Sequence, residues 1–315
     1  TGLTLDMDSE TVRSLGYRIV DIIASELSDP SKRPPRPPTQ TDDILAMFAG
    51  PLPHNGTDPD ELLSVIEDHF IPATTNLLHP RWMAYVLAGS LPLAGLMGAL
   101  ISSLNLAYVD PVNTRLAKTI TRWLGEMLGF GHDAAGYITT GGTWANLVGL
   151  AVARVRHAGW DVRAEGLADH PKLTAYVSEE GHTCLDKAME LLGIGSNQLR
   201  KIPVAADYRI LVDALEEAIG ADRAAGWQPF CLIGNAGTVN TGAVDPLDDL
   251  VKIAASHRLY TEWTLLCLRL GFRRQSFRWR KPSKLSFAAK VLDSIHCPRK
   301  ESWTAARPSI VKQSQ

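Results

Sequence analysis

From about residue 91 onward, stretches whose apolar residues recur every three or four positions appear and then alternate with short apolar runs. The short apolar runs predict buried strands and the periodic stretches predict helices with one apolar face. Strands are expected at 136–139, 173–178, 199–204 and 230–235. Helices are expected at 113–128, with Trp123, Leu124 and Leu128 on the apolar side, and at 143–157, 184–192, 212–221 and 246–257. Short buried strands alternating with helices predict an α/β fold built on a mostly parallel sheet. Ligands of such sheets lie at the carboxyl ends of the strands, so the informative residues are those that follow each strand.

The N-terminal part follows another pattern. Ser9 is a candidate cap for an amphipathic helix bearing Val12, Leu15, Ile19, Ile22, Ile23 and Leu27. The proline-rich stretch 29–38 cannot continue it and reads as an extended linker. A helix so cut off from a core predicts docking on a partner subunit, with docking on its own chain as the alternative. Residues 41–48 and 58–70 read as short helices. The apolar stretch 85–107 is broken by Gly89, Ser90, Pro92, Gly95 and Asn105, which predicts a buried helix reached through a turn rather than a membrane span.

Composition narrows the function. Hydrophobic residues make up 45% and charged residues 21% of the 315, as in a globular protein. A net charge of -2 offers nothing to nucleic acid or an anionic membrane. Cys184, Cys231, Cys267 and Cys297 are scattered without CxxC or metal-ligand spacing, which predicts free thiols in a reducing cytosol and no metal. No signal-peptide pattern opens the chain, and its first residue, Thr1, suggests a fragment.

Three strand-to-helix junctions carry the chemistry. The first, Thr139-Thr140-Gly141-Gly142-Thr143, lets the backbone approach an anion at a helix N-terminus, with a hydroxyl as further donor. It lacks the lysine of a P-loop and is not GxGxxG, and alone it is compatible with a plain turn. The second, Ser178-Glu179-Glu180-Gly181-His182-Thr183, places an imidazole after a strand. A histidine there is ordinarily a cap or surface residue, but its flat ring can stack on a flat cofactor. The third, Asn235-Ala236-Gly237-Thr238-Val239-Asn240-Thr241-Gly242, gathers hydroxyls and amides. Asp245-Pro246 then reads as an acidic cap and first-turn proline, a structural role.

These segments, with His79-Pro80-Arg81-Trp82-Met83-Ala84-Tyr85, resemble group II amino-acid decarboxylases dependent on pyridoxal 5′-phosphate (PLP), the family of the aromatic-amino-acid and glutamate decarboxylases. The likeness covers about residues 9–258. It implies the large domain of the aspartate-aminotransferase type (fold type I), with a seven-stranded mixed sheet and an N-terminal helical arm. It implies a cytoplasmic homodimer and decarboxylation of an L-amino acid to an amine and CO₂. Gly142 and Thr143 stand where the family binds the cofactor phosphate, His182 where an imidazole covers the ring, and Thr238 where a hydroxyl contacts the cofactor. Tyr85 lies in the segment lining the substrate entrance. The implied division is an arm at 1–75, a PLP-binding domain at 76–260 and an aberrant tail at 261–315, with the small C-terminal domain missing.

The pattern breaks near residue 260. The family carries an aspartate for the pyridine nitrogen on the next strand, in a His-Val-Asp-Ala type motif, where this chain reads Thr261-Glu262-Trp263-Thr264-Leu265-Leu266. Trp is TGG and Thr is ACN, so these codons read one base earlier contain Val or Met followed by Asp. Leucines in CTN codons then yield Ala, Pro, Ser or Thr, and Val-Asp-Ala-Ala is among the outcomes. This predicts a reading-frame shift near residue 260, with a divergent tail as the alternative. Leu292-Asp293-Ser294-Ile295-His296-Cys297-Pro298-Arg299-Lys300 resembles the family's lysine motif and makes Lys300 the candidate for covalent attachment of PLP, ahead of Lys281 and Lys284. The rival readings are a non-enzymatic remnant of such a decarboxylase and another fold-type-I enzyme, an aminotransferase or carbon–carbon lyase.

Overall fold

The computed structural model describes residues 7–37, 42, 46, 49–50, 52, 54–83, 91–105, 110–127, 135–265, 285–289 and 292–297, with backbone alone for Ala135 and beyond residue 261. It forms two compact units, Thr1–Leu106 and Ala107–Gln315.

In the first unit, helix α1 spans Ser9–Ser28. Its cap is Asp8 rather than Ser9: the Asp8 carboxylate accepts from the Thr11 amide at 2.7 Å. Both residue types satisfy a first-turn amide, and the acid adds a favourable charge at the dipole's positive end. Arg18 ties α1 to helix α2, Pro59–Val65, by donating to the Asp60 carbonyl and carboxylate, each at 2.9 Å. The helix expected over 58–70 starts as predicted, with Asp58 as cap, but widens into a π-helical turn at Ile66–Phe70. Pro72 explains the change, since it offers no amide to the preceding turn and its ring crowds the carbonyl four residues back. The proline-rich stretch is pinned. Buried Asn76 donates to the carbonyls of Pro30 at 2.7 Å and Arg33 at 3.2 Å.

Helix α3, Pro92–Ser103, corrects an expectation: Leu93, Met97 and Leu100 are exposed, not buried. A helix apolar on every side needs cover on every side, and the described residues of its own unit provide none. The helix expected at 41–48 and the opening residues of the 85–107 stretch fall largely outside the described residues. Among the described residues, no helix is long and apolar enough to cross a membrane.

The second unit begins with helix α4, Pro111–Met127, whose Leu124 is buried while Trp123 is half exposed, so Trp123 does not belong to the packed face. The elements then follow the predicted alternation: β1 Ala135–Gly136, α5 Gly142–His157, a short α6 Val162–Glu165, β2 Leu173–Ser178, α7 Cys184–Leu191 and β3 Leu199–Ile202. They continue through α8 Val212–Ala224, β4 Gln228–Asn235, α9 Leu247–Ser256, β5 Tyr260–Leu265, β6 Leu285–Ala289 and β7 Leu292–Cys297. The strand expected at 136–139 is shorter than its apolar run. The segment set apart as the tail contributes backbone to three strands.

The sheet has seven strands in the order β1-β7-β6-β5-β4-β2-β3. Strands β2 to β6 pair in parallel, and β7 is antiparallel to both β6 and β1. Hence β1 runs in the same direction as β2 to β6, and the loops after β1, β2 and β4 leave from one edge. This is the mixed seven-stranded sheet that the resemblance implied. Alternation along the central strands serves two helical layers. Tyr176 and Leu232 face α8 and α9 with Leu215, Ile219 and Leu250, whereas Val177 and Ile233 face α5 and α7 with Leu150, Leu185 and Met189. Each such side chain, fully buried, contributes about 1.5–3 kcal/mol, and together they hold the sheet edge rigid.

Candidate active-site edge

The first junction sets helix α5 against the edge. Gly141 precedes it with φ 126° and ψ 159°, a conformation that only glycine adopts without strain. A Cβ there would meet no atom within 4 Å, so the demand is conformational rather than steric. The first intrahelical bond is that of the Ala145 amide to the Gly141 carbonyl, at 3.1 Å. The amides of Gly142, Thr143 and Trp144 therefore lack intrahelical acceptors and lie at the positive end of a sixteen-residue helix. Thr143 is exposed and Gly142 half-buried.

At the second junction the chain turns sharply after β2: the Gly181 amide donates to the Ser178 carbonyl at 2.8 Å. Gly181 is required for its lack of volume, since a Cβ would lie 2.7 Å from Val177 Cγ2 and 3.0 Å from the Ser178 carbonyl oxygen. We predict that Gly181→Ala displaces this turn and costs about 1–3 kcal/mol, as overpacking does. An unchanged urea midpoint would contradict that close approach. The turn presents half-buried His182, whose Nδ1 accepts from the Cys184 amide at 3.0 Å. That bond sets the ring plane and leaves the proton of a neutral imidazole on Nε2.

At the third junction a tight excursion runs between Ala236 and Val244, which form an antiparallel bridge. The Gly242 amide donates to the Thr238 carbonyl and the Thr238 amide to the Ala243 carbonyl, both at 3.0 Å. Buried Thr238 and exposed Thr241 share a hydroxyl contact at 2.6 Å.

Asp245 departs from its sequence reading. It does not cap α9: its carboxylate accepts from the Ile210 amide at 2.9 Å, the Asn235 amide at 2.8 Å and Asn235 Nδ2 at 3.1 Å. Burial pushes its carboxyl above the usual carboxylate value, against those hydrogen bonds and the nearby Arg209 charge.

Two cross-junction hydrogen bonds stitch the edge. Asn146, one turn into α5, donates to Cys184 Sγ at 3.1 Å, two residues from His182. Asn235, at the end of β4, donates to Ser178 Oγ at 3.0 Å, at the end of β2. Asn146, Asn235 and Ser178 are buried polar residues that stand in the junction segments of the sequence but to which it assigned no role. Their only signal was position, an amide or hydroxyl at a strand end or in a helix's first turns. Tyr85, Lys281, Lys284 and Lys300 lie outside the described residues. Strand β5 holds Thr264 in register with Asn235, so the backbone position at which the family's aspartate is expected does reach this edge. Among the described residues no cluster of metal ligands occurs.

Residues 44–262 match the pyridoxal-dependent decarboxylase conserved domain. The chain belongs to this family. The match ends where the sequence pattern breaks. Among decarboxylases similar to this chain are the aromatic-L-amino-acid decarboxylase of Bacillus atrophaeus, 32% identical over 253 residues, covering 79% of this chain and 51% of that one. The acidic amino acid decarboxylase of Mus musculus is 29% identical over 231 residues, covering 71% of this chain and 40% of that one. The chain thus spans about half the length of the curated relatives it matches. Mouse CSAD has the same fold, with a TM-score of 0.84 at 21% identity over 98% of this chain and 68% of that one. So does Catharanthus roseus tryptophan decarboxylase, solved with L-tryptophan: TM-score 0.77, 24% identity, 93% of this chain and 67% of that one.

Proposed function

We propose that the carboxyl edge of this sheet binds PLP and that the chain's reaction is decarboxylation of an L-amino acid to an amine and CO₂. The observation that carries this reading is the convergence of the three junctions on one edge, stitched by the Asn146–Cys184 and Asn235–Ser178 hydrogen bonds. The residues fit the cofactor's phosphate and ring. The amides of Gly142 and Thr143, with the Thr143 hydroxyl, suit a phosphate at the helix N-terminus. His182 offers a ring of fixed plane to cover the pyridine face, and Thr238 a hydroxyl to its rim. When bound, PLP supplies the electron sink into which the bond to the substrate carboxylate collapses. Lys300 is assigned the covalent attachment and Tyr85 the substrate entrance. The homodimer belongs to the same reading: exposed Val12, Tyr17 and Ile19 on α1 suit an arm that covers a partner.

A second reading, binding without turnover, is favoured by β5. Its only acid is Glu262, and Thr264 stands in register with Asn235 where an aspartate is wanted. The test is titration of the full chain with PLP, followed by absorbance, with CO₂ release measured on aromatic and acidic L-amino acids. His182→Ala is expected to weaken uptake by up to about tenfold, the worth of one aromatic pair. Lys300→Ala is expected to abolish the covalent bond while leaving phosphate-held uptake. Absence of uptake by the unmodified chain would sink the proposal. Uptake without CO₂ would select the second reading, and a keto-acid product would point to an aminotransferase.

A further inference from the structure

We propose that Asp245 is the positioning residue of this edge, holding the Thr238 excursion directly and the His182 turn through Asn235 and the 204–210 loop. The inference rests on the reading of the edge as the PLP site. The Asp245 side chain is buried, with the residue 2% exposed, and among the described residues no lysine or arginine forms an ion pair with it. Burying a carboxylate without a direct ion pair is costly even with the Arg209 charge nearby, so the group is retained for what it orders. A helix cap would explain it, but α9 receives no side-chain cap.

What it orders is spread widely along the chain. Its carboxylate takes the backbone and side-chain N–H groups of Asn235 and the amide of Ile210, and its own amide donates to the Asn235 carbonyl at 2.9 Å. Asn235 is thereby held on three polar groups, and the same Nδ2 reaches Ser178 Oγ at 3.0 Å. Ser178 is the residue whose carbonyl closes the turn carrying His182. A second route starts at Ile210, which bridges Val204. The Val204 amide donates to Glu179 Oε1 at 3.3 Å, inside the same turn. Both routes from one carboxylate end between Ser178 and His182, while the excursion bearing Thr238 is closed between Asn235 and Asp245 themselves.

The test is hydrogen–deuterium exchange on the full chain, with and without PLP. Asp245→Asn sets an amide nitrogen against groups that are all donors. It is expected to speed exchange about tenfold in both 178–184 and 235–243, the effect of a lost buried hydrogen bond, and to leave α8 unchanged. It is also expected to weaken PLP uptake. Ser178→Ala, a gentler change that removes only the last link, is expected to loosen 178–184 and spare 235–243. The proposal is overturned if Asp245→Asn loosens 235–243 alone, if it loosens α8 equally, or if PLP uptake is untouched. Should Asp245→Asn not fold, an unchanged 178–184 in Ser178→Ala overturns the relay. If the unmodified chain takes up no PLP, the cofactor reading falls, and the exchange pattern still decides whether Asp245 holds the two turns.

Discussion

Replacing Asp222 by alanine is expected to cost about 3 kcal/mol of stability, the lower end of what stripping one partner from a buried ion pair costs, because Arg200 keeps one quarter of its side chain exposed. Asp222 on α8 is buried, and its carboxylate accepts from Arg200 Nη2 at 2.8 Å and from the Tyr176 hydroxyl at 2.8 Å. Arg200 comes from β3, Tyr176 from the centre of β2, and Thr174 adds a hydroxyl contact to Tyr176 at 3.0 Å. The guanidinium also stacks over Trp227 at 4.3 Å, which keeps it in place and would leave it facing an empty acceptor site. With Asp222 gone, the buried Tyr176 phenol and the partly exposed Arg200 charge lose their acceptor. Urea unfolding would measure the loss from the midpoint at constant slope. A cost below about 1 kcal/mol would mean that the pair behaves like an exposed one.

The same cluster predicts two pH limits. Burial acts to raise the Asp222 carboxyl, but the Arg200 and Tyr176 hydrogen bonds prevail and hold it below its ordinary 3.8. A carboxyl depressed in the fold contributes stability that is present above 3.8 and lost as pH falls through the folded value. Tyr176 shifts the other way. Burial, joined by its bond to Asp222 and opposed by Thr174, raises the phenol above its ordinary 10.0. Its contribution is complete below 10.0 and disappears as pH rises beyond that value. Tyr176→Phe should therefore flatten the decline of the urea midpoint on the alkaline side. A decline as steep as that of the unmodified chain would assign it to other groups.

Replacing Phe230 by alanine is expected to cost about 3–5 kcal/mol, a large share of the roughly 5–15 kcal/mol that a domain has in total. Phe230 lies in β4, fully buried among Leu150, Leu185, Met189 and Ile233. The cavity left would lie between the sheet and the α5–α7 layer, which cannot collapse without moving the helix ends that frame the site. Phe230→Leu, which keeps most of the volume, should lose much less, typically under about 1.5 kcal/mol. Equal losses for both variants would show that the layer repacks freely.

The two predictions concern opposite faces of the sheet and separate what was readable in the chain. The strand at 173–178 was placed to the residue, because its apolar run is bounded by polar turns on both sides. Neighbouring elements shifted by one to three residues at their ends, where hydrogen bonds rather than apolar spacing set the limit. The networks around Asp222 and Asp245 were not readable, since their partners are separated by between 10 and 46 positions.

By itself the sequence determined the alternation of strand and helix, the α/β class and the three junctions that bear Gly142, Thr143, His182 and Thr238, because each depends on residues close together along the chain. Tertiary structure alone decided that β1 reaches the same edge as β2 and β4 by way of an antiparallel β7. It also decided that Asp245 serves Asn235 rather than a helix end, and that α3 stays exposed in its own unit while Leu15, Ile22, Ile23 and Leu27 of α1 are half-buried. The physical reason is common to the last two. A buried polar group takes whatever partner the fold brings within 3 Å, and an apolar face is buried only if the fold supplies a cover, so neither outcome is written in local spacing.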